Sequence, residues 1–178
     1  MSLSAVLTTL IEYVEDVIVN DCGQPPLVRR LRYFGSGGLP QDGKCIDGVL
    51  SVAFDRGWAA KTFPRDASGE ADPCPGLPTY DLALRYDRCW IEPEIDEVGI
   101  TLLDSTWDTD SANLSDVADC VARALIAVQC GNASGELAQA LLATVRKNTF
   151  RYREVVPTRG TSTARLTWRI YAGPAQSA

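Results

Sequence analysis

The chain has 178 residues, 46% of them hydrophobic and 22% charged, and a formal net charge of −6. That length and balance fit one globular domain spanning 1–178 with its own core, and the acidic excess argues against a protein whose main task is gripping nucleic-acid phosphates. Histidine is absent, which removes the commonest general base, the commonest transition-metal ligand and every Ser–His or Cys–His nucleophile pair.

No apolar run approaches a membrane span, and the first residues lack the basic start and apolar core of a secretory signal, so a cytoplasmic origin is expected. Residues 2–19 spell an amphipathic helix. Leu3, Leu7, Leu10, Ile11, Val14, Val17 and Ile18 recur at three and four, with Ser2 or Ser4 to cap it and Asn20 to Gly23 to stop it. Its polar face carries Glu12, Glu15 and Asp16 and no lysine or arginine, so packing on a sheet is expected rather than membrane attachment. Pro25-Pro26 breaks the chain, and residues 27–34 read as a short strand. The glycines of 35–44 complete neither phosphate-cradling pattern, GxGxxG or GxxxxGK[ST].

The stretch from Cys45 to Trp90 is the expected nucleus of a sheet. Leu50, Val52 and Phe54 alternate with Val49, Ser51, Ala53 and Asp55. Tyr80, Leu82, Leu84 and Tyr86 alternate with Asp81, Ala83, Arg85 and Asp87. A period of two gives each strand one buried face and one face toward solvent or a partner. Between them, about 57–79, Pro64, Pro73, Pro75 and Pro78 with Gly69 and Gly76 predict a long loop that does not continue the sheet. A second loop, 90–113, carries seven carboxylates and no lysine or arginine. Asp108 and Asp110 open like a calcium loop, but Ala112 and Asn113 stand where a ligand and the glycine belong, so a solvated acidic loop is expected and no metal site.

Helices are predicted over 114–130, capped by Ser115 with Val117, Val121, Leu125 and Val128 inward, and over 134–147, with Leu137, Leu141, Leu142 and Val145 inward. Arg146 and Lys147 would suit the second helix's C-terminal end. Residues 148–173 read as a hairpin turning at Pro157 to Ser162. Phe150, Tyr152 and Val156 alternate with Arg151, Arg153 and Val155. Leu166, Trp168 and Ile170 alternate with Arg165, Arg169 and Tyr171. The pattern as a whole predicts an α+β fold: a mostly antiparallel sheet with an N-terminal helix and two later helices packed on it, closed by a C-terminal β-hairpin.

Six cysteines are many for a cytoplasmic chain. None forms CxxC, so zinc patterns fail. Cys120 and Cys130, in a helical stretch, are expected as small buried hydrophobes. Cys45, Cys74 and Cys89 flank the two central strands and can meet in space, where a disulfide would suit a particle that leaves the reducing cytoplasm. The residues alone gather no acid, base, nucleophile or metal set. Neither a catalytic site nor a cofactor is expected. The candidate site is an interface, in which Arg151, Arg153, Arg165 or Arg169 of one copy meets acidic residues such as Glu94, Asp96 and Glu97 of another.

Residues from Pro25 to about Cys130 also carry a distinctive order. A proline-led strand and glycine-containing loop come first, then Cys45 with Gly48, Leu50 and Val52. Arg56, Phe63-Pro64, Cys74 and Arg88-Cys89 follow, and last a helix near Leu114. This order resembles the head-to-tail connector or tail terminator proteins of long-tailed actinobacteriophages. The more acidic loop after Cys89 and the arginine-bearing last hairpin depart from that pattern. The resemblance implies a structural, non-enzymatic virion protein of the phage neck, assembled in the host cytoplasm. It implies a hexameric ring of this chain that ends tail-tube polymerisation and joins tail to head. Its partners would be the major tail tube protein and a head-closure or connector protein. Genome DNA would pass through the lumen without sequence recognition, and no membrane is involved. Two alternatives are a head-closure (stopper) or connector ring of the same neck, and a small binding module or histidine-free enzyme.

Overall fold

In the first helix, α1 (Leu3–Asp16), the apolar stripe places Val6, Leu7, Leu10, Ile11 and Val14 in the core, and the Ser2 side chain caps the start by accepting from Ala5 N–H. The helix runs on into a π-helical turn, Val17–Asp21, where Cys22 N–H donates to Val17 O at 2.9 Å. Gly23, at φ +66°, then takes the left-handed conformation that only glycine adopts at little cost, and the chain turns away. The computed structural model describes residues 2–34, 47–60, 62–64, 76–89, 94–95, 101–102, 106–159 and 163–175.

Five strands make the main sheet: β1 (Arg29–Phe34), β2 (Val49–Ala60), β3 (Leu77–Cys89), β6 (Val145–Arg159) and β7 (Thr163–Pro174). Their spatial order is β1-β2-β3-β7-β6. β1 and β2 are parallel and the other neighbours antiparallel. A two-residue pair, β4 (Glu94–Ile95) with β5 (Thr101–Leu102), stands apart from this sheet. The helices α2 (Thr106–Gln129) and α3 (Glu136–Thr144) complete an α+β fold, as the patterning predicts. The three helices meet the sheet through one face, α1 on β2 and α3, and α2 on β6 and β7. There Trp168, Tyr86, Leu50, Leu82, Leu84 and Ile170 close on Leu10, Ile18, Leu125 and Leu141, all essentially solvent-free. Trp168 also donates its indole N–H to Ala118 O at 3.3 Å, and Tyr13 its hydroxyl to Ala124 O at 3.2 Å, so both polar tips find partners inside.

The structure corrects several boundaries. α2 starts at Thr106, so Ser115 lies inside the helix rather than capping it, and residues 106–113 are helical rather than loop. Asn113 is held by Gln24, whose Nε2 donates to Asn113 Oδ1 at 2.7 Å, a tertiary contact that propensity cannot show. α3 ends at Thr144, because Val145 takes up an extended conformation and opens β6. Arg146 and Lys147 therefore belong to a strand. The central strands also run further than alternation suggested. Pro78 lies in β3 opposite Ala59, near the strand's start, where a missing N–H is tolerated, and Pro157 lies in β6 opposite Leu166. β6 is an edge strand with register shifts between Val145 and Phe150 and between Tyr152 and Glu154. The second shift reverses the alternation, so Val155 packs on the core while Val156 is exposed.

The cysteines are also corrected. Cys120 is bonded to Cys22, tying the π-helical turn to the middle of α2, and Cys130 is a free, exposed thiol rather than a buried hydrophobe. Cys89 is disulfide-bonded too, to a partner outside the described residues, where Cys45 and Cys74 also lie.

Candidate functional site: the charged face of the sheet

The face of the sheet opposite the helices was expected to meet solvent or a partner. In β3 it is instead buried, with Asp81, Ala83, Arg85 and Asp87 almost as enclosed as Leu82 and Leu84 on the core side. The antiparallel register explains how. Asp81 stands opposite Arg56 on β2 and Tyr171 on β7, and Asp87 stands opposite Arg165. Each buried carboxylate thus has a long cationic side chain on a neighbouring strand that folds over it.

The bonds form a ladder. Arg165 grips Asp87 with two donors, Nε to Oδ1 at 2.5 Å and Nη2 to Oδ2 at 2.8 Å. Arg169 bridges two carboxylates, donating Nη1 to Asp55 Oδ2 and Nη2 to Asp81 Oδ2, the latter at 2.8 Å. Bidentate and bridging guanidinium geometry of this kind is the strong form of charge pairing. Arg85 lies 4.0 Å from Asp55 Oδ1. The electrostatics differ along the ladder. Burial holds the Arg85 guanidinium below its ordinary value, and the neighbouring charges of Arg165 and Arg169 lower it further against the pull of Asp87. For Arg165 the hydrogen bond to Asp87 outweighs burial and raises its value. For Arg169, burial works downward but Asp81 and Asp55 prevail.

At one end of the ladder the charge is less fully matched. Arg56 Nε and Arg153 Nη1 lie 3.5 and 4.0 Å from the same Asp81 Oδ2 that Arg169 holds, so three guanidinium groups converge on one oxygen. The Asp81 side chain is only 2% exposed, whereas those of Arg56 and Arg153 are 61% and 36% exposed. Two aromatic rings order these arginines. The Arg56 guanidinium lies 5.0 Å over the Trp58 ring and that of Arg153 lies 4.6 Å over Tyr171. Trp58 and Tyr171 meet edge to face at 5.4 Å. A continuous row, Arg56–Trp58–Tyr171–Arg153, therefore crosses β2, β7 and β6.

Of the interface residues expected from sequence, Arg165 and Arg169 are engaged by aspartates of their own chain. Arg153 caps the row with Glu154 4.0 Å away, and Arg151 is exposed opposite Tyr171. Glu94 belongs to β4, while Asp96 and Glu97 lie outside the described residues. Sequence reasoning missed Arg56, Trp58, Asp81 and Tyr171 as parts of a site. The available signal was the set of charges at alternate positions, Asp81, Arg85 and Asp87 in one strand and Arg165 and Arg169 in another, but it needs the register to be read.

Elsewhere a hollow of about 470 Å³ lies between the first half of α2 and the β6–β7 hairpin, with Leu114, Ala118, Val155 and Leu166 in its wall. Among the described residues no three Cys, Asp or Glu side chains are grouped to hold a metal ion, and no helix is long and apolar enough to cross a membrane. No protein-family model matches the chain, and no curated protein matches it either.

Proposed function

We propose that this chain is a structural, non-enzymatic protein of a bacteriophage neck, a tail terminator. Copies of it would close into a ring that ends tail-tube growth and receives the head. The observation that carries the proposal is the order Gly48–Leu50–Val52, Phe63-Pro64, Arg88-Cys89, because its described members occupy fixed points of the sheet nucleus. Gly48 takes φ +72° at the entry to β2, and Leu50 and Val52 are fully buried. Arg88 ties β3 to Asp47 and Gln24, with Nε 2.8 Å from Asp47 Oδ1 and Nη1 2.9 Å from Gln24 Oε1. Cys89 is disulfide-bonded. A motif whose residues set a backbone turn, a core contact and two cross-links is one that a family's fold would require.

The cross-links support the same reading. Disulfides persist in proteins that work in oxidising surroundings, and a virion component is assembled inside the cell and released from it. A ring also needs a head-to-tail contact that closes on itself. The two sheet edges, β1 and β6, offer unlike surfaces for one. In this proposal the neighbours are further copies, the tail tube protein and a head-closure protein, with the genome passing through the lumen.

The test is electron microscopy of particles made when the gene is silenced by a stop codon. Overlong tails of variable length beside filled, tailless heads are expected, because tube growth has lost its stop. Tails of normal length beside heads that fail to join would move the protein to the head side of the neck. Intact, joined particles would overturn both assignments.

A further inference from the structure

The row Arg56–Trp58–Tyr171–Arg153 has the features of a receptor rather than of a finished internal contact. Arg165 and Arg169 spend their donors on aspartates at hydrogen-bonding distance. Arg56 and Arg153, by contrast, approach Asp81 only at 3.5 and 4.0 Å, outside good hydrogen-bond geometry, and Asp81 Oδ2 is already taken by Arg169. Their guanidinium groups are nevertheless held in place, each by the face of an aromatic ring. Stacking fixes the plane and leaves the N–H edge free, so less side-chain freedom is lost when an anion arrives. A second observation comes from Trp58. Its indole Nε1–H is buried and has no hydrogen-bond acceptor among the described residues, an unpaired polar group on the ring that carries Arg56.

We infer that Arg56 and Arg153, each held over an aromatic ring, form a docking site for the carboxylates of an acidic protein segment. Carboxylate is the anion that the charge pattern selects. The chain as a whole carries −6, and Asp55, Asp81 and Glu154 are interleaved with the arginines. A nucleic-acid backbone wants a continuous basic stripe, whereas separate acidic side chains can each meet one guanidinium edge between the existing carboxylates. The site stands apart from the neck assignment, since any partner with an exposed acidic segment would fit it.

The experiment uses the full chain and fluorescein-labelled octaglutamate, with binding followed by anisotropy at low and at moderate salt. A short DNA duplex serves as the rival polyanion. The variants are Arg56→Gln/Arg153→Gln, the milder Arg153→Gln, and Arg29→Gln/Arg123→Gln, which removes equal charge from exposed arginines elsewhere. Retention of the unfolding midpoint shows that each variant is folded, and Arg153→Gln decides the matter if the double variant is not. Octaglutamate affinity is expected to fall about fivefold or more in the first double variant, about twofold in Arg153→Gln, and little in the control. Equal loss in both double variants, no binding by the unmodified chain at low salt, or tighter binding of DNA through the same arginines would overturn the inference.

Discussion

Replacing Cys22 and Cys120 together by serine removes the bridge between the end of α1 and the middle of α2. The bridge joins residues separated by 98 positions in sequence. In the chain-entropy account, closing a loop of that length restricts the denatured chain by roughly 16 cal/mol/K, or about 4.7 kcal/mol at 25 °C. Two features adjust the figure. Cys89 is in a second disulfide, so part of the denatured chain is already constrained and the effect shrinks toward about 3 kcal/mol. In the other direction, both positions pack against the core, where a serine hydroxyl in place of sulfur costs about 1 kcal/mol. The expected loss is therefore about 3–5 kcal/mol, a large share of the roughly 5–15 kcal/mol typical of a domain. Urea unfolding followed by tryptophan fluorescence measures it. The released denatured chain should also expand, so the dependence of stability on urea should steepen. A loss below about 1 kcal/mol, or an unchanged slope, would refute the argument.

Two further outcomes follow from the charged face and the core. Asp81→Asn keeps the shape but removes the charge under Arg169, and should cost about 2–3 kcal/mol in urea unfolding. The exposed pair Arg123–Asp119 at 3.6 Å should lose under about 0.5 kcal/mol on Asp119→Asn, and equal losses would contradict the burial argument. Burial also pushes the Tyr86 phenol above its ordinary value, so the folded state favours the neutral ring. Stability should be level up to the unfolded value near ~10 and then fall as pH rises through the folded value, with Tyr86→Phe flattening the decline in alkaline urea titrations.

Much of the fold is legible because burial writes a period into the residues. Val117, Val121, Leu125 and Val128 are all buried where their spacing placed them, as are Leu166, Trp168 and Ile170. What stayed hidden depends on contacts made far away in sequence. The start of α2 has no apolar repeat before Leu114 and rests partly on Gln24. Cys22 and Cys120 meet only because the π-helical turn crosses α2. In β6 one extra residue between Tyr152 and Glu154 reverses which side chains face inward, and no local pattern announces it. The candidate site was legible as a set of arginines but not as a network. Alternation puts Asp81 and Arg169 on faces of their own strands, and only the register between β3 and β7 shows that they share one.

That register also governs how the molecule can be made. β3 lies in the middle of the sheet, yet one of its two neighbours is β7, the last strand of the described chain, with Leu82 paired to Ile170 and Tyr86 to Leu166. While the polypeptide is being synthesised, everything through α3 emerges before that neighbour exists. Until then one whole edge of β3 has no ladder, and Asp81 and Asp87 lack Arg169 and Arg165. Such long-range closure is slow and leaves an edge open to other chains. β7 therefore acts as a keystone: a nascent chain stalled before residue 163 holds every described helix and most of the core, but cannot finish its sheet.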